Sequence, residues 1–176
     1  MKFALIVILI TGSIYAYPQE AAKPRQSPLE LTQAKYKNTY VKIVYGQPMM
    51  DGRDIFGGLV PYGQVWRTGA NEATEMTATK DFYINGTLLK AGTYSIFTIP
   101  EKIKWTVIIN KDVGLWGSYN YNEKLDVMRF EIPVVNTGEE SHESFTIKFD
   151  QKNDKADLKM MWDHTQIVIP IRFSDD

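Results

Sequence analysis

The 176-residue chain contains no cysteine, which excludes disulfides, thiolate metal sites and a lipidated cysteine. Histidine is almost as scarce. His142 sits among glutamates and His164 at an expected turn, and no H-x-H, H-E-x-x-H or C-x-x-C spacing occurs, so neither a metal nor a cofactor is expected. Charge of one sign is lacking too. Lys and Arg number 20 against 21 Asp and Glu, a formal net charge of −1, so there is little field to gather a phosphate backbone and nucleic acid is not an expected partner. Ser118 follows Gly117 without the G-x-S-x-G elbow, which argues against a serine nucleophile. Finally, no apolar run is long enough to span a bilayer. The longest, residues 3–10, has eight residues where a membrane helix needs about 20.

That short run has another reading. With Met1 and Lys2 before it, and Thr11, Gly12, Ser13 and Ala16 after it, it has the layout of a signal peptide over residues 1–16. The expected product is exported, periplasmic or extracellular, with no stable membrane anchor after cleavage. Residues 17–28, with Pro24 and Pro28, read as a flexible linker, and residues 29–176 as one domain of a size that folds without staples.

Within that domain, apolar residues recur with period two. Val41, Ile43 and Tyr45 alternate with less apolar neighbours, as do Trp105, Val107 and Ile109; Met128, Phe130, Ile132 and Val134; and Phe145, Ile147 and Phe149. Leu158, Met160 and Trp162 lead through Asp163 and His164 into Thr165, Ile167, Ile169, Ile171 and Phe173, the pattern of a hairpin. Asn85-Gly86 and Ala91-Gly92 supply further turns. Nine or ten short strands with no helical stripe predict an all-β fold: an antiparallel β-sandwich, jelly-roll-like, with one long ordered loop. Pro133 and Pro170 fall inside two of these strands and predict edges or bulges there.

The long loop is residues 46–71, with six glycines, two prolines and no alternation. Loops of that length are usually functional or disordered. Ile55, Phe56, Leu59, Val60, Tyr62, Val65 and Trp66 offer enough apolar surface to hold it against the body as an ordered lid. Its chemistry centres on Arg67 beside Trp66, with Asn71 and Glu72 close behind and Arg53 and Tyr62 upstream. A guanidinium fork suits a carboxylate or phosphate, and Trp66 or Tyr62 offers a stacking floor, so these residues form a candidate site for a small polar ligand, an anion or a saccharide. The alternative is that Arg67 pairs internally with Glu72 or Asp51 and only fixes the loop. A second cluster, residues 116–122, alternates Trp116, Tyr119 and Tyr121 with amides, which suits a sugar's C–H face and hydroxyls or else a loop that caps the sandwich. If the two clusters meet, they form one cleft.

The stretches 45–74 (YGQPMMDGRDIFGGLVPYGQVWRTGANEAT), 91–100 (AGTYSIFTIP) and 105–121 (WTVIINKDVGLWGSYNY) resemble the DUF2911 family of uncharacterised exported bacterial proteins. The likeness runs from about residue 25 to residue 173. It implies a β-rich domain and export, and it carries no activity. Met49-Met50 departs from the family pattern, where a small residue is frequent.

Three functional classes remain. The favoured one is a non-catalytic module binding a small polar ligand, with no catalytic residue assigned. The enzyme alternative is a hydrolase of saccharide or envelope material using Glu72 with Asp51 or Asp54, which requires carboxylates about 5 to 9 Å apart across an open cleft. The third has the loop or an edge strand docking an envelope protein.

Overall fold

The computed structural model describes residues 24–174; the expected leader and most of the expected linker lie outside them. In chain order the strands are β1 (Leu29–Tyr36), β2 (Thr39–Gly46), β3 (Thr74–Ala78), β4 (Phe82–Ile84), β5 (Thr87–Leu89), β6 (Gly92–Pro100), β7 (Lys104–Asn110), β8 (Asp126–Pro133), β9 (Val135–Asn136), β10 (His142–Lys152), β11 (Lys155–Asp163) and β12 (Thr165–Phe173). The only helical element among the described residues is a 3₁₀ turn, Glu123–Leu125, capped by the Asn122 side chain. One sheet has the order β1-β2-β3-β6-β7-β8 and the other β10-β11-β12-β4-β5, with β9 beside β12. The fold is the expected antiparallel β-sandwich.

Local chemistry accounts for the elements. In β2, Thr39, Val41, Ile43 and Tyr45 are buried while the residues between them are half-exposed, which is what a strand with one face on a core requires. Asn85 and Gly86 both take positive φ, 47° and 76°, as the type I′ turn between β4 and β5 demands. Asp163-His164 closes the β11–β12 hairpin, with Trp162 opposite Thr165. Pro133 ends β8, an edge strand, as expected. Pro170 is different, because β12 lies inside its sheet. There the carbonyl of Pro170 accepts from the Asn85 amide at 2.8 Å, in the turn beyond β4. The missing N–H therefore falls where β4 has already ended, which is how an interior strand tolerates the ring.

The two sheets are also tied at their edges. The side-chain amide of Gln151 on β10 accepts from the Lys35 amide at 3.3 Å and donates to the Lys35 carbonyl at 2.9 Å, so it bridges to β1 as a strand would. At the opposite edge the chain leaves β8 through Pro133 and Val134 and crosses to β12 as β9.

Between the sheets lies a core of Val41, Ile43, Phe82, Ile96, Leu158, Ile169 and Phe173, closed at one end by the rings of Phe56, Trp66, Trp105, Phe145 and Trp162. A smaller cluster of Ala73, Phe97 and Ile108 sits apart from it, with Val65, Leu115 and Tyr121 packed against it.

Candidate functional site

Residues 46–71 form an ordered lid that touches both sheets. The Met50 amide donates to the Glu143 carbonyl and the Phe145 amide to the Pro48 carbonyl, at 2.8 and 2.9 Å, which lays the start of the loop along β10. That contact occupies the stretch where β10 shifts register against β11, between His142 and Thr146. The middle folds on itself, with Leu59 N–H to Asp54 C=O and Val60 N–H to Ile55 C=O. The end joins the other sheet, where Trp66 and Thr98 exchange both backbone bonds at 2.7 and 2.9 Å. Ile55, Val60 and Trp66 are buried as the expected anchors; Leu59, expected among them, stays 45% exposed.

Alternation along this last segment sets up the site. Val65 packs with the smaller cluster and Trp66 with the main core, so the segment behaves as an extra strand. Thr68 then takes φ 56°, costly for a β-branched residue. It is held there by its neighbours: its hydroxyl bonds Thr98 Oγ1 at 3.1 Å, and its carbonyl accepts from Thr74 Oγ1 at 2.6 Å. Asn71 is also left-handed, at φ 64°. Strain imposed so firmly is a mark of functional loops.

Arg67 stands between these features, half-buried, and forms no ion pair with any described residue. Its Nε is buried without a hydrogen-bond partner, one of two such side-chain atoms among the described residues. A buried N–H of a charged group left unpaired costs on the order of 1 to 3 kcal/mol or more. Arg67 lines a cavity of about 640 Å³ whose walls include Trp66, Trp162, Met49 and Asn71. It also lines a second of about 290 Å³ with Gln64, Ser118 and Tyr119.

The internal pairing weighed for Arg67 does not form. Glu72 is bound instead by Arg25, and that contact holds its carboxyl below the usual carboxylate range. Asp51 is 3.9 Å from Arg53, whose guanidinium also donates to the Met50 and Met49 carbonyls at 2.8 and 2.5 Å. Arg25 belongs to the end of the stretch expected to be a linker. Pro28 there accepts from the Gln47 amide at 2.8 Å, and Gln26 and Ser27 help wall the larger cavity.

The other expected site residues are distributed unevenly. Arg53, Trp66, Arg67 and Asn71 line the larger cavity and Tyr119 the smaller. Trp66 is a core ring rather than an open floor, 8% exposed, with its indole N–H donated to the Gly69 carbonyl at 3.1 Å. Tyr62 faces a different cavity of about 740 Å³, shared with Asp54, Lys102 and His164. Trp116 is exposed and lines none of these cavities. Tyr121 is engaged elsewhere: its hydroxyl donates to Asp126 Oδ2 at 2.7 Å and accepts from Arg129, and burial pushes the phenol up to about 12. Of the carboxylates named for a hydrolase, Asp51 lines the larger cavity, Asp54 the Tyr62 cavity, and Glu72 is tied to Arg25. No group of three or more His, Asp or Glu among the described residues is placed to hold a metal.

Trp162, Gln26 and Ser27 were not expected at the site. Only Trp162 carried a signal, as the last and largest apolar residue of β11 before a turn.

Fold and site together define a β-sandwich with a long lid and, at a cavity, an arginine paired with no described residue. A family model described as "Protein of unknown function (DUF2911)" matches residues 27–171, and the chain belongs to that family. No curated protein and no solved structure matches it.

Proposed function

We propose that the protein is an exported, non-catalytic binding module whose Arg67 cleft takes a small polar ligand through one anionic group. The observation that carries this reading is the half-buried Arg67, paired with no described residue and lining a cavity of about 640 Å³. An anion there gains charge-assisted hydrogen bonds from a guanidinium that no described carboxylate neutralises. Trp66 and Trp162 supply apolar wall, while Asn71, Gln26 and Ser27 supply polar partners, the usual division of labour in a ligand pocket. The non-catalytic reading rests on Glu72, the carboxylate common to both hydrolase pairs, being engaged by Arg25. Export rests on the leader-like residues 1–16.

A thermal-shift screen of carboxylates, phosphate and acidic sugars tests the binding, because a ligand that binds only the folded state raises the melting temperature. Arg67→Gln should abolish the shift while circular dichroism stays that of the parent. A shift that survives in Arg67→Gln, or no shift with any anion, sinks the reading. Cell fractionation, with N-terminal sequencing of the accumulated protein, tests export; a cytoplasmic chain beginning at Met1 would refute it.

A further inference from the structure

We propose that the ligand of this cleft is an acidic saccharide, its carboxylate on Arg67 and a sugar ring face on Tyr119. The inference rests on the reading of Arg67 just given and goes further in naming the ligand class. Its first support is adjacency, since Arg67, Trp66, Leu59 and Val60 line both the larger and the smaller cavity. The two spaces therefore adjoin at Arg67, and the smaller extends to Ser118 and Tyr119.

Tyr119 is the most exposed large apolar side chain described, at 84%. Its ring is nevertheless seated. Gly117 has φ 73°, and a Cβ there would lie 2.8 Å from the Tyr119 ring, so the phenol rests directly on the glycine backbone. The loop beneath is clipped to the segment after Arg67: the Gly117 amide donates to the Asn71 carbonyl and the Ala73 amide to the Leu115 carbonyl, both at 2.9 Å. Backbone hydrogen bonds thus tie the loop that carries the ring to the segment that follows the cation. An exposed aromatic face held in place beside a charged group is the arrangement that covers sugar C–H groups at little entropic cost.

Charge narrows the ligand further. The larger cavity has Arg67 and Arg53 against Asp51, and Arg53 is already occupied by the Met49 and Met50 carbonyls. Among the described residues this leaves one cation of the cavity without a partner, which suits one carboxylate and is a poor match for a di- or triphosphate. Gln64 and Ser118 lie in the smaller cavity with no side-chain hydrogen bond to any described residue. Each can both donate and accept, as hydroxyl recognition needs.

Isothermal titration of the purified protein with uronic-acid and sialic-acid trisaccharides, their methyl esters, acetate and benzoate decides the matter. At least one acidic trisaccharide should bind, and its ester should bind at least about tenfold more weakly. Tyr119→Ala, at a surface site that folding does not need, should weaken the acid about five- to tenfold. Acetate or benzoate binding as tightly as every trisaccharide, or a Tyr119→Ala protein of unchanged affinity, overturns the saccharide assignment and leaves Arg67 as an anion site. Esters equal to acids, or Arg67→Gln equal to the parent, overturns both. Failure of all the trisaccharides, with acetate, benzoate or phosphate still shifting the melting temperature through Arg67, overturns only the saccharide.

Discussion

The indole of Trp162 lies against that of Trp66, with centroids 5.9 Å apart and planes inclined by 20°, and both rings wall the cavity that Arg67 lines. The same pair is therefore core and site at once. Trp162 is 1% exposed and also meets Phe56 and Phe145, so removing it empties the end of the sandwich on which the lid rests. Trp162→Ala should cost about 3 to 5 kcal/mol of stability in urea unfolding and Trp162→Phe distinctly less. A loss under about 1 kcal/mol for the alanine would mean that the lid does not depend on this stack.

A second dependence lies at the open edges of the sheets. The Gln151 amide satisfies both backbone groups of Lys35 and also donates to the Asn153 carbonyl at 3.0 Å. Gln151→Glu keeps an acceptor for the Lys35 amide but sets a carboxylate against the Lys35 carbonyl. It should lower stability by about 1 to 2 kcal/mol and speed hydrogen exchange at nearby β1 amides. Unchanged exchange in that variant would show that the edges hold without the bridge.

How much of this was legible in the sequence depends on how each residue is covered. β2 and β12 bury one face, so Val41, Ile43, Ile167 and Ile169 announce themselves by alternation. β6 and β7 are covered on both faces, since Phe97 and Ile108 sit in the smaller cluster while Ile96 and Ile109 face the main core; β7 still alternates through Trp105, Val107 and Ile109, whereas β6 shows no such alternation. Arg67 beside Trp66 in a glycine-rich stretch was conspicuous. Its lack of a partner was not, because the residue that occupies Glu72 is Arg25, 47 positions earlier in a segment that reads as linker. Tyr121 looked like Tyr119 in the sequence, but one packs on Phe97 and the other on Gly117, a difference made by the loop's path.

Tyr121 gives a pH dependence of known sign. Its folded pKa, about 12, lies above the ordinary value of 10.0, so the native state holds this proton where the unfolded state has begun to release it. The contribution is complete below pH 10 and is lost as pH rises toward 12. The stability gap between the parent and Tyr121→Phe should therefore shift against the parent across that window, read by urea unfolding at intervals. A gap that stays constant would place the phenol in an ordinary environment.

Gly46 carries the last consequence, because backbone crosses backbone there. A Cβ on Gly46 would lie 2.1 Å from the Ala70 carbonyl oxygen, and the Gly46 carbonyl accepts from the Ala70 amide at 3.1 Å. A carbonyl held in a strained turn cannot swing aside as a side chain would, so Gly46→Ala must push residues 67–71 away from β2. Stability should fall by about 1 to 3 kcal/mol. The more telling readouts are local: the Ala70 amide should lose exchange protection, and anion binding at Arg67 should weaken even under conditions where the variant is fully folded. A variant that kept both would show that the placement of Arg67 does not depend on this crossing, and that the bonds from Trp66 to Thr98 and from Thr74 to Thr68 suffice to aim the guanidinium.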